Sequence, residues 1–81
     1  MVVSVRLFGP EAQLAGAQSL DVEVEPPATC AAIRELLLCK SPELAGSLRS
    51  ARFAVNHAFA SDETTVEATD EVALIGMVSG G

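Results

Sequence analysis

The stretch Glu71–Met77, EVALIGM, decides the fold because it is a nearly all-apolar run. A continuous apolar run of this length is typical of a central strand buried on both faces, whereas a half-buried strand alternates apolar and polar residues. If the first strand of the chain pairs beside it, this last strand becomes central. We therefore predict that Glu71–Met77 forms the middle strand of a sheet, with Val78–Gly81 beyond it.

Two segments near the start of the sequence alternate in the manner of half-buried strands. They are Val2–Phe8 and Ser19–Glu25. Gly9-Pro10 ends the first and Pro26-Pro27 ends the second, because proline cannot donate a ladder hydrogen bond. Between them, Glu11–Ala15 fits a short helical turn closed by a glycine. The predicted inward side chains are Val3, Val5, Leu7, Leu20, Val22 and Val24.

A helix is predicted after the second proline pair, with Thr29 as its N-cap. Its inward stripe has helical spacing and consists of Cys30, Ile33, Leu36, Leu37 and Lys40. Ser41-Pro42 ends this helix and starts a short second one. Arg52–Ala60 then fits one or two short strands around Asn56-His57, and Val66 anchors an irregular segment.

This order of elements predicts an α+β fold. We expect a mixed β-grasp, or ubiquitin-like, sheet of about five strands, with one main helix across one face and a short second helix. The β-grasp domain is expected to span residues 1–76, and residues 77–81 are expected to form a flexible C-terminal Gly-Gly tail. A chain of this length has room for one domain of modest stability.

The charge of the chain argues against nucleic acid as a partner. The formal net charge is −6, and the five basic residues are scattered along the sequence. An acidic chain instead suits a partner with a basic surface, where charge mainly speeds encounter. Because no secretory signal or long apolar segment is recognisable, we expect a cytoplasmic protein that does not bind a membrane.

Side-chain chemistry offers little to a free-standing enzyme. Cys30 and Cys39 would lie on opposite sides of one helix, so we expect two reduced thiols. His57, the only histidine, follows Asn56 in a predicted turn, and turn chemistry accounts for it better than catalysis. The acidic residues lack the spacing of a calcium loop, and no phosphate-binding glycine loop is present. We therefore expect no metal site and no bound cofactor.

The glycine pair Gly80-Gly81 places a carboxylate on a thin stem. Without Cβ atoms, these residues can pass through a narrow channel and adopt backbone angles that other residues avoid. The Gly81 carboxylate would then reach the active site of another protein, where it becomes reactive only once activated, for instance as an acyl-adenylate. The alternative is a frayed end, which is common at termini.

Phe8 suggests a partner-binding surface. It falls on the Ser4 side of the first predicted strand, away from the predicted core. Together with Phe53, Phe59 and Ile75, it would form an exposed apolar patch of the kind that marks interaction sites. Ordinary packing of these side chains in the core is the equal alternative.

Three motifs carry a resemblance to a known family. They are Ala54-Val55-Asn56, Asp70–Ala73 and Val78–Gly81. Together with the first strand and the segment that follows it, they resemble the small subunit of molybdopterin synthase. That family consists of ubiquitin-like β-grasp sulfur carriers, and the resemblance extends over essentially the whole sequence.

The resemblance implies a definite role. An activating enzyme related to ubiquitin E1 would consume ATP to adenylate Gly81, and a sulfur donor protein would supply the sulfur of a thiocarboxylate. The tail residues Met77, Val78, Ser79 and Gly80 would thread into the large subunit, which converts cyclic pyranopterin monophosphate to molybdopterin with its own catalytic lysines. The small subunit is then a sulfur-carrying co-substrate, and it forms part of an enzyme only within the heterotetramer.

The sequence departs from the family pattern at two places. Ala68-Thr69 stands where the family usually has a glycine turn, and Gly76-Met77 stands where it usually has two prolines. Prolines would stiffen the stem, so we expect a tail that is more mobile or differently packed. Neither departure touches the terminal carboxylate, so carrier chemistry remains the expectation.

Other β-grasp proteins share the predicted fold and tail. The alternatives are a sulfur carrier of the thiamine or tRNA-thiolation type and a ubiquitin-related modifier that forms isopeptide bonds with lysines. An alternative of another class is a non-catalytic binding module with an inert tail.

Overall fold

The computed structural model describes residues 1–76 of the chain. Its elements in chain order are β1 (Val2–Arg6), α1 (Gly9–Ala15), β2 (Ser19–Glu23), β3 (Ala28–Thr29), α2 (Cys30–Lys40), a 3-10 turn (Pro42–Leu44), α3 (Ala45–Leu48), β4 (Arg52–Val55), β5 (Ala58–Ala60), β6 (Thr65–Val66) and β7 (Val72–Ile75). The larger sheet has five strands in the order β2-β1-β7-β4-β5, and a separate two-stranded ladder joins β3 to β6.

The last strand, β7, is central, as the sequence predicts. It pairs in parallel with β1 and antiparallel with β4, and β2 and β5 form the two edges of the sheet. The main helix α2 packs its apolar side against one face of this sheet. This is the β-grasp arrangement, so the predicted α+β fold is confirmed.

The predicted burial of the last strand on both faces is wrong for the chain alone. Val72 and Leu74 are fully buried, whereas Ala73 and Ile75 are only half-buried. The cause is that helices cover one face of the sheet only. The second apolar face of β7 therefore belongs to an open surface, which we call the open face.

Helix α2 begins where its N-cap predicts. The Thr29 hydroxyl accepts a hydrogen bond from the Ala32 N–H at 3.2 Å, which satisfies one of the free amides of the first turn. Cys30, Ile33 and Leu37 are buried. At the other end, the Lys40 ammonium donates to the main-chain carbonyl of Asp21 on the edge strand β2, which covers part of an unpaired edge.

Two segments are more regular than the sequence predicts. The short helical turn expected after β1 is a helix from Gly9, because Pro10 at its start needs no amide partner and fits the first turn. Gly16 ends it with φ 68°, a left-handed angle that glycine adopts without strain. The irregular segment around Val66 contains β6, which pairs with β3 and buries the Val66 side chain.

The β4–β5 hairpin is tied to the start of β7 by Asn56. Asn56 and His57 have φ values of 52° and 69°, the left-handed pair that a tight two-residue hairpin requires. The Asn56 side chain donates to the Asp70 carboxylate at 3.0 Å and accepts from the Glu71 N–H at 2.9 Å. These bonds fix the hairpin against the strand that follows Asp70.

The turn before β7 closes without the expected glycine. The Asp70 N–H donates to the Glu67 carbonyl at 3.0 Å, and the Asp70 carboxylate accepts from the Glu67 N–H at 2.8 Å. The intervening Ala68 and Thr69 keep negative φ angles. A carboxylate that closes its own turn therefore makes a glycine unnecessary at this place.

No helix within residues 1–76 is long and apolar enough to cross a membrane.

We predict that Leu37→Ala destabilises the fold by about 2–5 kcal/mol, because it leaves a cavity beneath α2. Leu37 is fully buried, whereas its neighbour Leu38 is 42% exposed on the same helix. Leu38→Ala is therefore the matched control, with an expected change within about 0.5 kcal/mol. Denaturant unfolding of both variants measures the difference. Equal losses would contradict the assigned helix face.

We also predict that the pKa of Asp70 lies below its ordinary value of 3.8. The Glu67 N–H hydrogen bond is the larger cause and the Asn56 amide is the second, since both favour the charged carboxylate. Asn56→Gly keeps a residue that tolerates positive φ but removes the amide. It should raise the Asp70 pKa toward 3.8, as measured by NMR titration of the carboxyl carbon.

The lowered pKa of Asp70 determines how its contribution to the free energy of unfolding changes with pH. Asp70 contributes stability fully above its unfolded pKa near 3.8, and this contribution is lost as the pH falls through the lower folded pKa. The difference in unfolding free energy between the wild type and Asp70→Asn should therefore shrink below pH 3.8. A difference that stays constant down to the acid transition would show that this carboxylate is not selectively stabilised.

Candidate functional site

The open face of the sheet holds a shallow depression of about 370 Å³. Side chains that point away from α2 form it, since alternate residues of a strand lie on opposite faces. Its lining residues are Arg6, Phe8, Ala54, His57, Phe59, Glu71, Ala73 and Ile75. It therefore spans β1, β7, β4 and β5, with the central strand as its floor.

Two aromatic rings stand exposed at this depression. Phe8 is 48% exposed and Phe59 is 60% exposed, and Ile75 is half-buried on the central strand β7. Large apolar side chains that converge from separate elements on one concave face are typical of an interaction surface. The structure thus brings together three of the four side chains that the sequence suggested for a partner surface.

The fourth, Phe53, does not belong to this surface. It is 1% exposed and packs in the core, on the α2 side of β4. The register explains the difference, because the neighbours Arg52 and Ala54 take the open side of the strand and leave Phe53 on the other. The Arg34 guanidinium lies 5.1 Å from its ring centroid, and it donates to the Ala51 carbonyl at 3.0 Å.

Two cations accompany the exposed rings. The Arg52 guanidinium lies 4.7 Å from the centroid of the Phe59 ring, and the Arg6 guanidinium lies 5.8 Å from that of Phe8. Each arginine can stack on its ring and still offer N–H groups to a partner. The open face therefore carries two guanidinium groups, although the chain as a whole has a net charge of −6.

The predicted surface did not include the arginines, His57 or Glu71. His57 Nε2 lies 3.3 Å from a Glu71 carboxylate oxygen at one end of the depression. Arg6 was recoverable from the alternation that places it on the same side as Phe8. Arg52 needed the register of β4, and the approach of His57 to Glu71 depends on the Asn56 hairpin.

The buried thiol among the described residues is not ready to react. Burial raises the pKa of the Cys30 thiol, and the nearby Asp62 raises it further, while Arg34 has a smaller opposing effect. Such a thiol stays protonated and inert. Cys39 is exposed and free. Within residues 1–76, no three histidine, cysteine or acidic side chains are grouped so that they could hold a metal ion.

The predicted reactive group, Gly81, lies outside the described residues, as do Met77, Val78, Ser79 and Gly80. The described chain ends at Gly76, directly after Ile75, which lines the depression on the open face. The segment that carries the terminal carboxylate is therefore joined to the sheet beside the exposed rings.

Known structures share this fold over the full chain. SAMP1 from Haloferax volcanii is 26% identical, with 100% of each chain covered and a TM-score of 0.84. SAMP1 from Methanosarcina acetivorans, a small archaeal modifier protein, is 23% identical, with 99% and 96% covered and a TM-score of 0.78. A protein complex of subunits 1 and 2 of the molybdopterin-converting factor from Helicobacter pylori contains a chain that is 23% identical, with 100% of both covered and a TM-score of 0.69.

No curated protein matches the sequence significantly. The sequence does match a family, and the match covers residues 5–81, from the end of β1 through Gly81. It therefore includes the strands of the open face, the helix behind them and the glycine pair. These findings confirm the resemblance to the β-grasp sulfur carriers, and the chain belongs to the ThiS family.

Proposed function

We propose that this protein is a sulfur carrier that uses the Gly81 carboxylate as its reactive group and serves molybdenum cofactor biosynthesis. The observation that carries the proposal is the family match, which runs through Gly81. The side chains are consistent with it, since burial keeps the Cys30 thiol protonated and no three histidine, cysteine or acidic side chains within residues 1–76 are grouped to hold a metal ion. The open face supplies the surface on which partner enzymes would bind.

The reactions of such a carrier change the oxidation state of neither the Gly81 carboxyl carbon nor the sulfur. A carboxylate oxygen of Gly81 attacks the α-phosphorus of ATP, which forms an acyl-adenylate and releases pyrophosphate. Hydrosulfide, delivered by a donor protein, then attacks the acyl carbon. AMP leaves, a proton passes to solvent, and a thiocarboxylate remains. After the sulfur is transferred, water returns the missing oxygen to Gly81. The activating enzyme binds the ATP, so the carrier itself needs no bound cofactor.

The proposed acceptor complex is molybdopterin synthase. Its large subunit would bind the open face, take the tail from Met77 to Gly81 into its active site, and convert cyclic pyranopterin monophosphate to molybdopterin. The Helicobacter pylori structure supports this choice, because a protein of the same fold is there in complex with a second subunit of the molybdopterin-converting factor. We further propose a heterotetramer with a small subunit at each end of a large-subunit dimer.

A second candidate function is protein modification. The likeness to SAMP1 from Haloferax volcanii, at 26% identity over the whole of both chains, favours it. A modifier and a sulfur carrier share the adenylation step and differ in what attacks the acyl carbon, a lysine amine or sulfur. The two roles are therefore separable by the product formed at Gly81.

The experiment that tests the carrier proposal combines the chain with its activating enzyme, ATP and a sulfide source. We expect the intact mass to rise by the difference between one sulfur and one oxygen, located at Gly81 by fragmentation. Removal of Gly81 should lower molybdopterin formation with the large subunit by at least about 100-fold, because the carboxylate is then misplaced by a full residue. Ser79→Ala is the matched control, since it changes the tail but keeps its length.

Three outcomes decide between the candidates. Sulfur at Gly81 that the large subunit consumes supports the molybdopterin assignment. Lysine conjugates without a thiocarboxylate would replace the carrier role by the modifier role. An unchanged mass, while a known carrier is charged in parallel, would contradict both and leave a binding module with an inert tail.

The open face provides a second prediction. Phe59→Ala should weaken binding of the large subunit about tenfold or more, as exposed aromatic anchors often do at interface centres. Leu38→Ala is the control, because Leu38 is 42% exposed and lies on α2, behind the sheet. Titration calorimetry measures both affinities. Equal losses, or an effect of Leu38 alone, would place the interface elsewhere.

A further inference from the structure

Glu11 is an unusual residue because its charged side chain is buried. It is 6% exposed, and it is one of two buried polar residues within residues 1–76, the other being Ser41. Glutamate is almost never fully buried unless it is paired, since removing a carboxylate from water is costly. The burial of Glu11 in the first turn of α1 therefore calls for a structural reason.

The carboxylate of Glu11 packs directly against the main chain at Gly76. A Cβ atom built on Gly76 would lie 2.7 Å from the Glu11 carboxyl carbon and also 2.7 Å from one carboxylate oxygen, with the other oxygen closer still. Carbon atoms of real side chains essentially never approach so closely. Position 76 therefore accepts only glycine while Glu11 keeps its place.

The backbone of Gly76 does not itself require glycine. Among the described glycines, Gly9 and Gly16 have positive φ angles, whereas Gly76 does not. Conversely, a Cβ on Gly9, Gly16 or Gly46 would meet no atom within 4 Å. Gly76 is thus the one described glycine for which the restriction comes from a neighbouring side chain, and that side chain is Glu11.

The contact between Glu11 and Gly76 is important because of where it lies in the chain. Gly76 follows β7 directly and precedes the segment Met77–Gly81. Glycine has the greatest backbone freedom of any residue, so an unsupported glycine here would let the segment leave the sheet in many directions. A buried side chain packed against it restricts that freedom. The Glu11 side chain thereby restricts the Gly76 backbone, which has no side chain of its own to restrict it.

We propose that Glu11 and Gly76 form a matched pair that restricts the backbone of Gly76, the residue from which the C-terminal segment continues. Glu11 is in this sense a positioning residue for the Gly81 carboxylate. The consequence for charging rests on the proposed function, whereas the pairing itself does not. The pair also accounts for the absence of proline at position 76, since a Cβ there would displace the Glu11 carboxylate.

A double-mutant cycle tests the pairing without any sulfur chemistry. Gly76→Ala in the wild type should lower the folding constant about twofold or more, because the added methyl forces the Glu11 carboxylate out of its buried position. The same substitution in the Glu11→Ala background should be neutral or stabilising, because it then only reduces unfolded-state freedom. This reversal of sign is the expected result. Equal effects of Gly76→Ala in both backgrounds would overturn the pairing.

The positioning role has its own readouts. Glu11→Ala should lower the NMR order parameters of the amides that follow Gly76 and reduce kcat/KM for charging about tenfold. Its affinity for the large subunit should stay within about twofold, because the open face is untouched. Glu11→Gln keeps the shape of the side chain and should restore both properties. Unchanged order parameters in Glu11→Ala would overturn the role even if Gly81 were charged normally.

Discussion

The placement of β7 between β1 and β4 is the constraint on which the rest of the structure depends. It buries Val72 and Leu74 under α2 and leaves Ala73 and Ile75 on the open face. It also carries the chain directly from the centre of the sheet to Gly76. A central strand is held on both sides by main-chain hydrogen bonds, so the start of the C-terminal segment has a firm base.

Two local devices support this arrangement. Asn56 ties the β4–β5 hairpin to Asp70 and to the N–H of Glu71, so the rings and charges of the open face keep their positions relative to β7. Glu11 packs against Gly76 at the opposite end of the strand. One device fixes where β7 begins, and the other lies against the last described residue, Gly76. A carrier needs both, because a partner must recognise the sheet and receive the tail in one geometry.

Much of the fold was predictable from the sequence, because periodicity reports burial directly. Alternation identified the inward side of β1, and Thr29 was identified as the cap of α2. The all-apolar run of the last strand was ambiguous, since a strand face covered by a helix and one left for a partner have the same composition. Phe53 and Phe59 lie in strands of four and three residues, where only the register separates the core from the surface. Glu11 gave no signal, because the residue it contacts, Gly76, lies far along the chain.

In the proposed mechanism, the Gly81 carboxylate carries the sulfur and the open face binds the partner. The most direct test is to isolate the protein from the cells that make it and to determine the atoms at Gly81 by fragmentation mass spectrometry. We expect sulfur to replace one carboxylate oxygen of Gly81 in a fraction of the molecules. We also expect this fraction to disappear when the activating enzyme is absent. A carboxylate that carries only oxygen in every molecule, whether or not that enzyme is present, would contradict the sulfur-carrier assignment.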